Sequence, residues 1–139
     1  MAKRRAPRET HCPVAFGLDL FGDRWTLLIV RDLLLKHRRR WSEFLDSGEG
    51  IASNILADRL ARLRRAGVLV ATRDPEDSRG KLYRLTEKGV DLAPVLVEMI
   101  AWSAKYDPRT AADQAFVRRA RSDREALLRE IRSASRTPR

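Results

Sequence analysis

Between Ser53 and Arg65 the chain places Ser53, Asn54, Asp58, Arg59 and Arg62 around three leucines, Leu56, Leu60 and Leu63. The leucines recur at i, i+4 and i+7, which marks the buried side of a helix and turns Asn54, Asp58, Ala61, Arg62 and Arg65 away from it. That outward strip suits the edge of a base pair. An asparagine amide can both donate to and accept from adenine, an arginine reaches guanine or phosphate, and Ser53 with the free amides of the first turn can hold a phosphate. Asp58 is repelled by phosphates unless it accepts from cytosine or pairs with Arg62 at i, i+4, and the spacing favours the intrahelical pair. Arg59, at the edge of the buried side, either contacts a phosphate or ties the helix to its neighbour. Arg64 and Arg65 complement the helix C-terminus, and Gly67 supplies a left-handed end near Ala66.

Other chemistries find little support. No nucleophile stands beside a base partner, and no glycine-rich phosphate loop is present, so an enzyme is not expected. One cysteine and two histidines exclude an intramolecular disulfide and give no metal site, and no cofactor is implied. Cys12 follows Lys3, Arg4, Arg5, Arg8 and His11, a setting that favours thiolate; it is either a redox or electrophile sensor or an inert thiol.

The 139 residues carry 29 Lys and Arg against 19 Asp and Glu, a formal charge of +10 and a pI near 10.9. Such a balance favours a polyanionic partner: DNA, RNA or an anionic membrane surface. The apolar runs "WTLLIV" and "LLL" are far shorter than the ~20 residues a bilayer requires. The basic N-terminus lacks an apolar stretch behind it, so a cytoplasmic protein without membrane contact is expected. The length suits one folding unit with appendages.

The elements that must position the strip follow from periodicity. "CPVAFGLDLF" and "GDRWTLLIVRDLLLK" read as two helices joined through Gly22, with Asp23 as cap of the second. "WSEFLDSG" is a short third helix, and the leucine helix from Ser53 to about Ala66 is the fourth. "VLVATR" (68–73) and "KLYRL" (81–85) read as strands of a hairpin with a long charged tip, "DPEDSRG". From Thr86 a long helix carries Leu92, Val95, Met99, Trp102 and Tyr106 as an apolar stripe, with Pro94 kinking or restarting it. A charged helical tail, with a thin stripe of Phe116, Leu127, Leu128 and Ile131, packs on a partner or on the long helix. Trp25, Trp41 and Trp102 fall within apolar periodicity and are expected in core or dimer packing.

A short helix, a turn, a second helix and a β-hairpin make a winged helix-turn-helix: a mostly α fold with a small hairpin (α+β), an added dimerisation helix and a helical tail. The expected divisions are a flexible basic arm (1–11), the winged domain with dimerisation helices (12–106) and the tail (107–139). Arg79 and Lys81 in the wing are candidate backbone or minor-groove contacts, whereas Asp74, Glu76 and Asp77 shape its turn. Lys36, Arg38, Arg39 and Arg40 form a dense cationic cluster that either touches phosphates or is solvated.

The stretch "HCPVAFGLDLFGDRWTLLIVRDLLL" resembles the opening of the HxlR family of bacterial transcriptional regulators, with its Cys-Pro start, hydrophobic helix and Gly-x-Arg-Trp-Thr-x-x-Ile block at Gly22, Arg24, Trp25, Thr26 and Ile29. The likeness continues through "GEGIASNILADRLARLRRAGVL", "YRLTEKG" and the Trp102 region, covering about residues 11 to 106. Many members have Ser-Pro where this chain has Ala52 and Ser53; its "ASNIL" is closer to a sub-branch with Ala-Thr-Asn-Ile-Leu. The resemblance implies a DNA-binding regulator, and some members sense electrophiles or oxidants through a cysteine in the Cys12 region. Because one recognition helix reads only a few base pairs, a homodimer on a palindromic operator of double-stranded DNA is the leading reading. A nonspecific binder, architectural or RNA-associated, is the alternative, since charge alone would suffice for it.

Overall fold

The computed structural model describes residues 10–136. The basic arm proposed for 1–11, with Lys3, Arg4, Arg5 and Arg8, therefore lies almost wholly outside the described residues. Helix α1 (Pro13–Phe21) begins on a proline whose missing N–H is no loss in a first turn, and α2 (Thr26–Leu34) follows. Asp23 closes the start of α2 as expected of a cap. Its Oδ2 accepts from the Trp25 and Thr26 amides at 3.0 and 3.1 Å, and its Oδ1 accepts from Thr26 Oγ1 at 2.6 Å.

Helix α3 (Trp41–Leu45) and helix α4 (Ser53–Arg65) are joined by a turn through Gly50, at φ 74°. The N-cap of α4 is Ala52, which offers no side-chain acceptor; Ser53 is already the first helical residue, not the cap. Gly67, at φ 74°, reverses the chain after α4 and lets the Val68 amide donate back to the Leu63 carbonyl at 2.9 Å.

The hairpin departs from the expectation of thin strands and a long tip. Strand β1 (Leu69–Asp74) pairs antiparallel with β2 (Asp77–Leu85) through a turn in which only Pro75 and Glu76 stand between the strands. Asp74-Pro75-Glu76-Asp77 supplies the reason: aspartate suits the first turn position and proline presets the second. The Glu76 amide donates to Asp74 Oδ1 at 2.9 Å.

The long helix expected from Thr86 is two helices, α5 (Glu87–Val90) and α6 (Ala93–Tyr106), with Pro94 in the first turn of the second. Thr86 Oγ1 accepts from the Gly89 amide and donates to the Gly67 carbonyl, fastening α5 to the root of the wing. A β-carbon on Gly89 would lie 2.3 Å from the Val68 carbonyl oxygen, so only glycine permits this approach. Helices α7 (Gln114–Ser122) and α8 (Arg124–Arg136) complete the chain.

Helix α2 divides the core. Ile29 and Leu33 join Phe44, Leu56, Leu60, Leu63, Val68 and Tyr83 beneath the helix-turn-helix. On its other side Val30 and Leu34 join Ala93, Leu96, Val97, Ala120, Leu127, Leu128 and Ile131. Of the two readings of the tail, packing on the long helix is the one observed: Ala120, Leu127, Leu128 and Ile131 join α2 and α6 in the second cluster. Among the described residues no helix is long and apolar enough to cross a membrane.

Candidate nucleic-acid interface

Leu56 and Leu63 are fully withdrawn from solvent and Leu60 nearly so, which fixes α4 about its own axis. Ser53, Asn54, Ala57, Asp58, Arg64 and Arg65 are consequently exposed. The Asn54 amide makes no hydrogen bond with the described residues, leaving donor and acceptor both available.

One expected pairing in this helix is corrected. Asp58 pairs with Arg59, its sequence neighbour, not with Arg62. Arg62 instead reaches back to the Asp19 carbonyl at 3.5 Å. Arg59 is engaged a second time: its Nε donates to Asp23 Oδ2 at 2.8 Å, so it ties α4 to the start of α2. Burial opposes ionisation of the Asp23 carboxyl, but hydrogen bonds from Thr26, Arg59 and the Trp25 amide outweigh it and hold the pKa at about 2.

The cluster at 36–40 is likewise neither a free loop nor uniformly available. Arg38 Nη1 lies 3.6 Å from Asp32 Oδ1. The Arg39 amide donates to Glu43 Oε1 at 3.3 Å while its carbonyl accepts from the Tyr83 amide at 2.9 Å. Arg40 Nε donates to the buried Asp74 Oδ2 at 2.6 Å, and its Nη2 reaches Glu76 Oε2 at 3.1 Å. Those hydrogen bonds from Arg40 hold the Asp74 carboxyl below the ordinary range. Arg40 thereby pins the base of the wing turn to the entrance of α3.

The wing carries one cation that sequence reasoning missed. Arg73 is the register partner of Lys81, with both side chains exposed on the same face of the hairpin. Like charges directly opposite each other are destabilising unless an anion lies between them. Arg79 is also exposed, its amide donating to Asp77 Oδ1 at 3.0 Å. Turn chemistry alone would set Arg73 opposite Ser78; the irregularity between Arg73 and Asp74 shifts the register by three residues and brings Lys81 there instead, which no local pattern in the sequence signals.

The apolar stripe of α6 is split. Leu92, before the helix starts, packs against both core clusters, so it does not belong to a surface. Val95 is half-buried, whereas Met99, Trp102 and Tyr106 are exposed at 49%, 66% and 62%. Trp102 and Tyr106 stack on each other with centroids 5.3 Å apart. Helix α1 presents Val14, Phe16 and Leu18 to solvent. Of the other tryptophans, Trp25 packs on the first core cluster and Trp41 stays exposed at 36%, outside core packing. Cys12 is exposed at the N-cap of α1.

Comparison with known proteins places these features. A family model described as HxlR-like helix-turn-helix matches residues 20–111. An uncharacterised HTH-type transcriptional regulator of Mycobacterium tuberculosis is 36% identical over 96 residues, covering 69% of this chain and 60% of that relative. The HTH-type transcriptional regulator YodB of Bacillus subtilis is 33% identical over 99 residues, covering 70% of this chain and 88% of YodB. The crystal structure of PA1607, provisionally described as a transcription factor, is similar with TM-score 0.67 at 42% identity, over 76% of this chain and 73% of that one. The chain spans less than two thirds of its first curated relatives, 60% of the mycobacterial one and 64% of one from Synechocystis.

Proposed function

This chain belongs to the HxlR-like helix-turn-helix family, and from that premise we propose that it is a sequence-specific DNA-binding transcriptional regulator acting as a homodimer. Helix α4 enters the major groove, with Asn54 reading a base and Ser53 and Arg62 on phosphate or base edges. The wing grips the backbone or minor groove through Arg73, Arg79 and Lys81, and Arg38 and Arg39 flank the backbone where the chain enters α3. Arg59 and Asp58 act on this surface by holding each other and the helix in place. The observation that carries the reading is the uncovered Asn54 face of a helix whose opposite side is locked by three buried leucines.

The dimer reading rests on Met99, Trp102 and Tyr106, more exposed apolar surface than a small monomer keeps in water, with α1 supplying a second such face. Cys12 is the proposed point of redox or electrophile response, supported by its exposure and by the likeness to YodB, whose structures include reduced, diamide-treated and quinone-bound forms. That role is tested by comparing DNA affinity of wild type and Cys12→Ser with and without diamide; an identical response in both removes it.

The deciding experiment is a comparison of affinities at one salt concentration for duplexes selected from random sequence and for scrambled duplexes. A sequence-specific regulator prefers its selected sites by about a thousandfold or more. A ratio near one would replace this reading with nonspecific nucleic-acid binding.

A further inference from the structure

Between α2 and α6 on one side and residues 110–113, α7 and α8 on the other lies a cavity of about 880 Å³. Its walls are mainly apolar, with Leu28, Leu35, Ile100, Phe116, Leu127 and Ile131 among them. The volume lies within the ~300–1,000 Å³ typical of sites for small organic molecules. The floor comes from the family-matched segment, but the facing wall from Ala112 onward lies beyond its last residue, 111.

The charged groups at the rim are mostly engaged. Arg31 donates to Asp32 and to Glu49, Glu130 accepts from Arg119, and Asp113 accepts from the Ala115 amide. Lys36 lines the same rim, is exposed and forms no ion pair among the described residues. Its charge acts on Glu49 without a direct contact, and Glu49 is itself held by Arg31, so an apolar cleft with Lys36 at its mouth selects an apolar molecule with an acidic end.

We propose that this cavity binds an apolar organic anion, its hydrophobic body held between α2, α6 and α8 and its acidic group at the Lys36 ammonium. A second copy of the chain is the less suitable occupant. Leu96, Ile100 and Ser103 face the cavity, whereas Val95, Trp102 and Tyr106 lie about a quarter-turn away round α6, with Met99 between the two sets. The ligand site therefore adjoins the dimer seam and shares Met99 with it. A route to α4 is also built in. Arg31 Nη1 holds Glu49 Oε1 at 3.0 Å, and Glu49 precedes the Gly50 turn that sets α4. An acid arriving at the rim competes with Glu49 for cations and shifts that turn. This second step rests on the DNA-binding reading, whereas the binding step does not.

The test uses full-length protein and two fluorescent probes, 1-anilinonaphthalene-8-sulfonate and N-phenyl-1-naphthylamine, which share their rings and differ by the sulfonate. Both should bind saturably at one site per chain. Lys36→Gln, an exposed and structurally mild change, should weaken the sulfonate about fivefold and leave the neutral probe unchanged. Ala134→Trp, which fills the cavity from α8, should abolish both. Non-saturable binding, or sulfonate binding indifferent to Lys36, overturns the proposal. So does a wild type that takes up neither probe while Ala134→Trp sediments as a monomer, because the cavity would then be the seat of a second copy. Saturating sulfonate should change affinity for a selected duplex by about fivefold or more, and an unchanged affinity overturns the coupling. A wild type that binds no duplex would undo the DNA-binding reading and leave the probe titrations standing.

Discussion

Arg59 Nε lies 2.8 Å from Asp23 Oδ2, the carboxylate that also caps the start of α2. One aspartate therefore both caps the beginning of the central helix and ties α4 to it, and the tie to the Arg59 guanidinium draws on its charge. Its pKa, about 2 in the folded chain, lies below the ~3.9 of an unfolded aspartate. A carboxyl depressed on folding contributes stability that is fully present above the unfolded value and is lost as pH falls through the folded one. The window is therefore about pH 5 to pH 2.

Asp23→Asn should cost about 1 kcal/mol at pH 7, a figure reduced for the group's partial exposure to solvent, and should flatten the acid limb of stability in that window. Urea unfolding from pH 7 downward measures both. An acid limb identical to wild type would show that other carboxylates govern it.

Asn54→Ala should relax base choice at one position of each half-site. A lost bidentate adenine contact costs about 1–3 kcal/mol against the correct base. Affinities measured on a set of single-base operator variants separate the alternatives: uniform weakening on all of them assigns Asn54 to phosphate positioning.

Met99→Glu should shift the protein towards monomers, since it puts a charge amid Val95, Trp102 and Tyr106. Sedimentation velocity reads the result. A folded Met99→Glu, Trp102→Glu double variant that still sediments as a dimer would move the interface elsewhere, with exposed Val14, Phe16 and Leu18 of α1 the next surface to change.

Helix periodicity made the order of elements legible, because Leu56, Leu60 and Leu63 at i, i+4, i+7 leave little choice of buried face. Asp23 as a cap and Gly67 as a left-handed stop were legible for the same local reason: the chemistry lies within one turn of the residue. What escaped were partners distant in sequence. Asp74 pairs with Arg40 from 34 residues away and Asp23 with Arg59 from 36, so neighbouring charges at i, i+4, such as Asp58 and Arg62, were assigned to each other. Leu92 read as surface because it continues the stripe of α6, yet the break before Ala93 turns it inward. The tail looked thin because Leu127, Leu128 and Ile131 are few, although α2 and α6 offer them Val30, Leu34 and Val97.

Leu127→Ala tests that tail. The side chain is 4% exposed and sits in the cluster shared with α2 and α6. If α8 folds as part of one cooperative unit, the truncation should destabilise the whole protein by about 2–5 kcal/mol. Thermal unfolding should then remain a single transition with a lower midpoint. A separate early transition of the tail, with the main one unmoved, would make α7 and α8 an independent unit.

The wing offers the sharpest electrostatic test, because Arg73 and Lys81 oppose each other across the hairpin. Removing one relieves a repulsion, so loss of affinity cannot be charged to a weakened fold, and Arg40 with Asp74 keeps the turn anchored. Arg73→Ala with Lys81→Ala removes up to two phosphate contacts from each subunit. A dimer then loses up to four, and the slope of log K against log salt should flatten by about 3–4 units at ~0.9 counterion per contact. The ratio of affinities for selected and scrambled duplex should barely change, since backbone contacts position the protein without reading sequence. A salt titration on both duplexes measures the two quantities together. An unchanged slope would free the wing of any grip on the backbone, and a collapsed ratio at constant slope would make it a reader of bases.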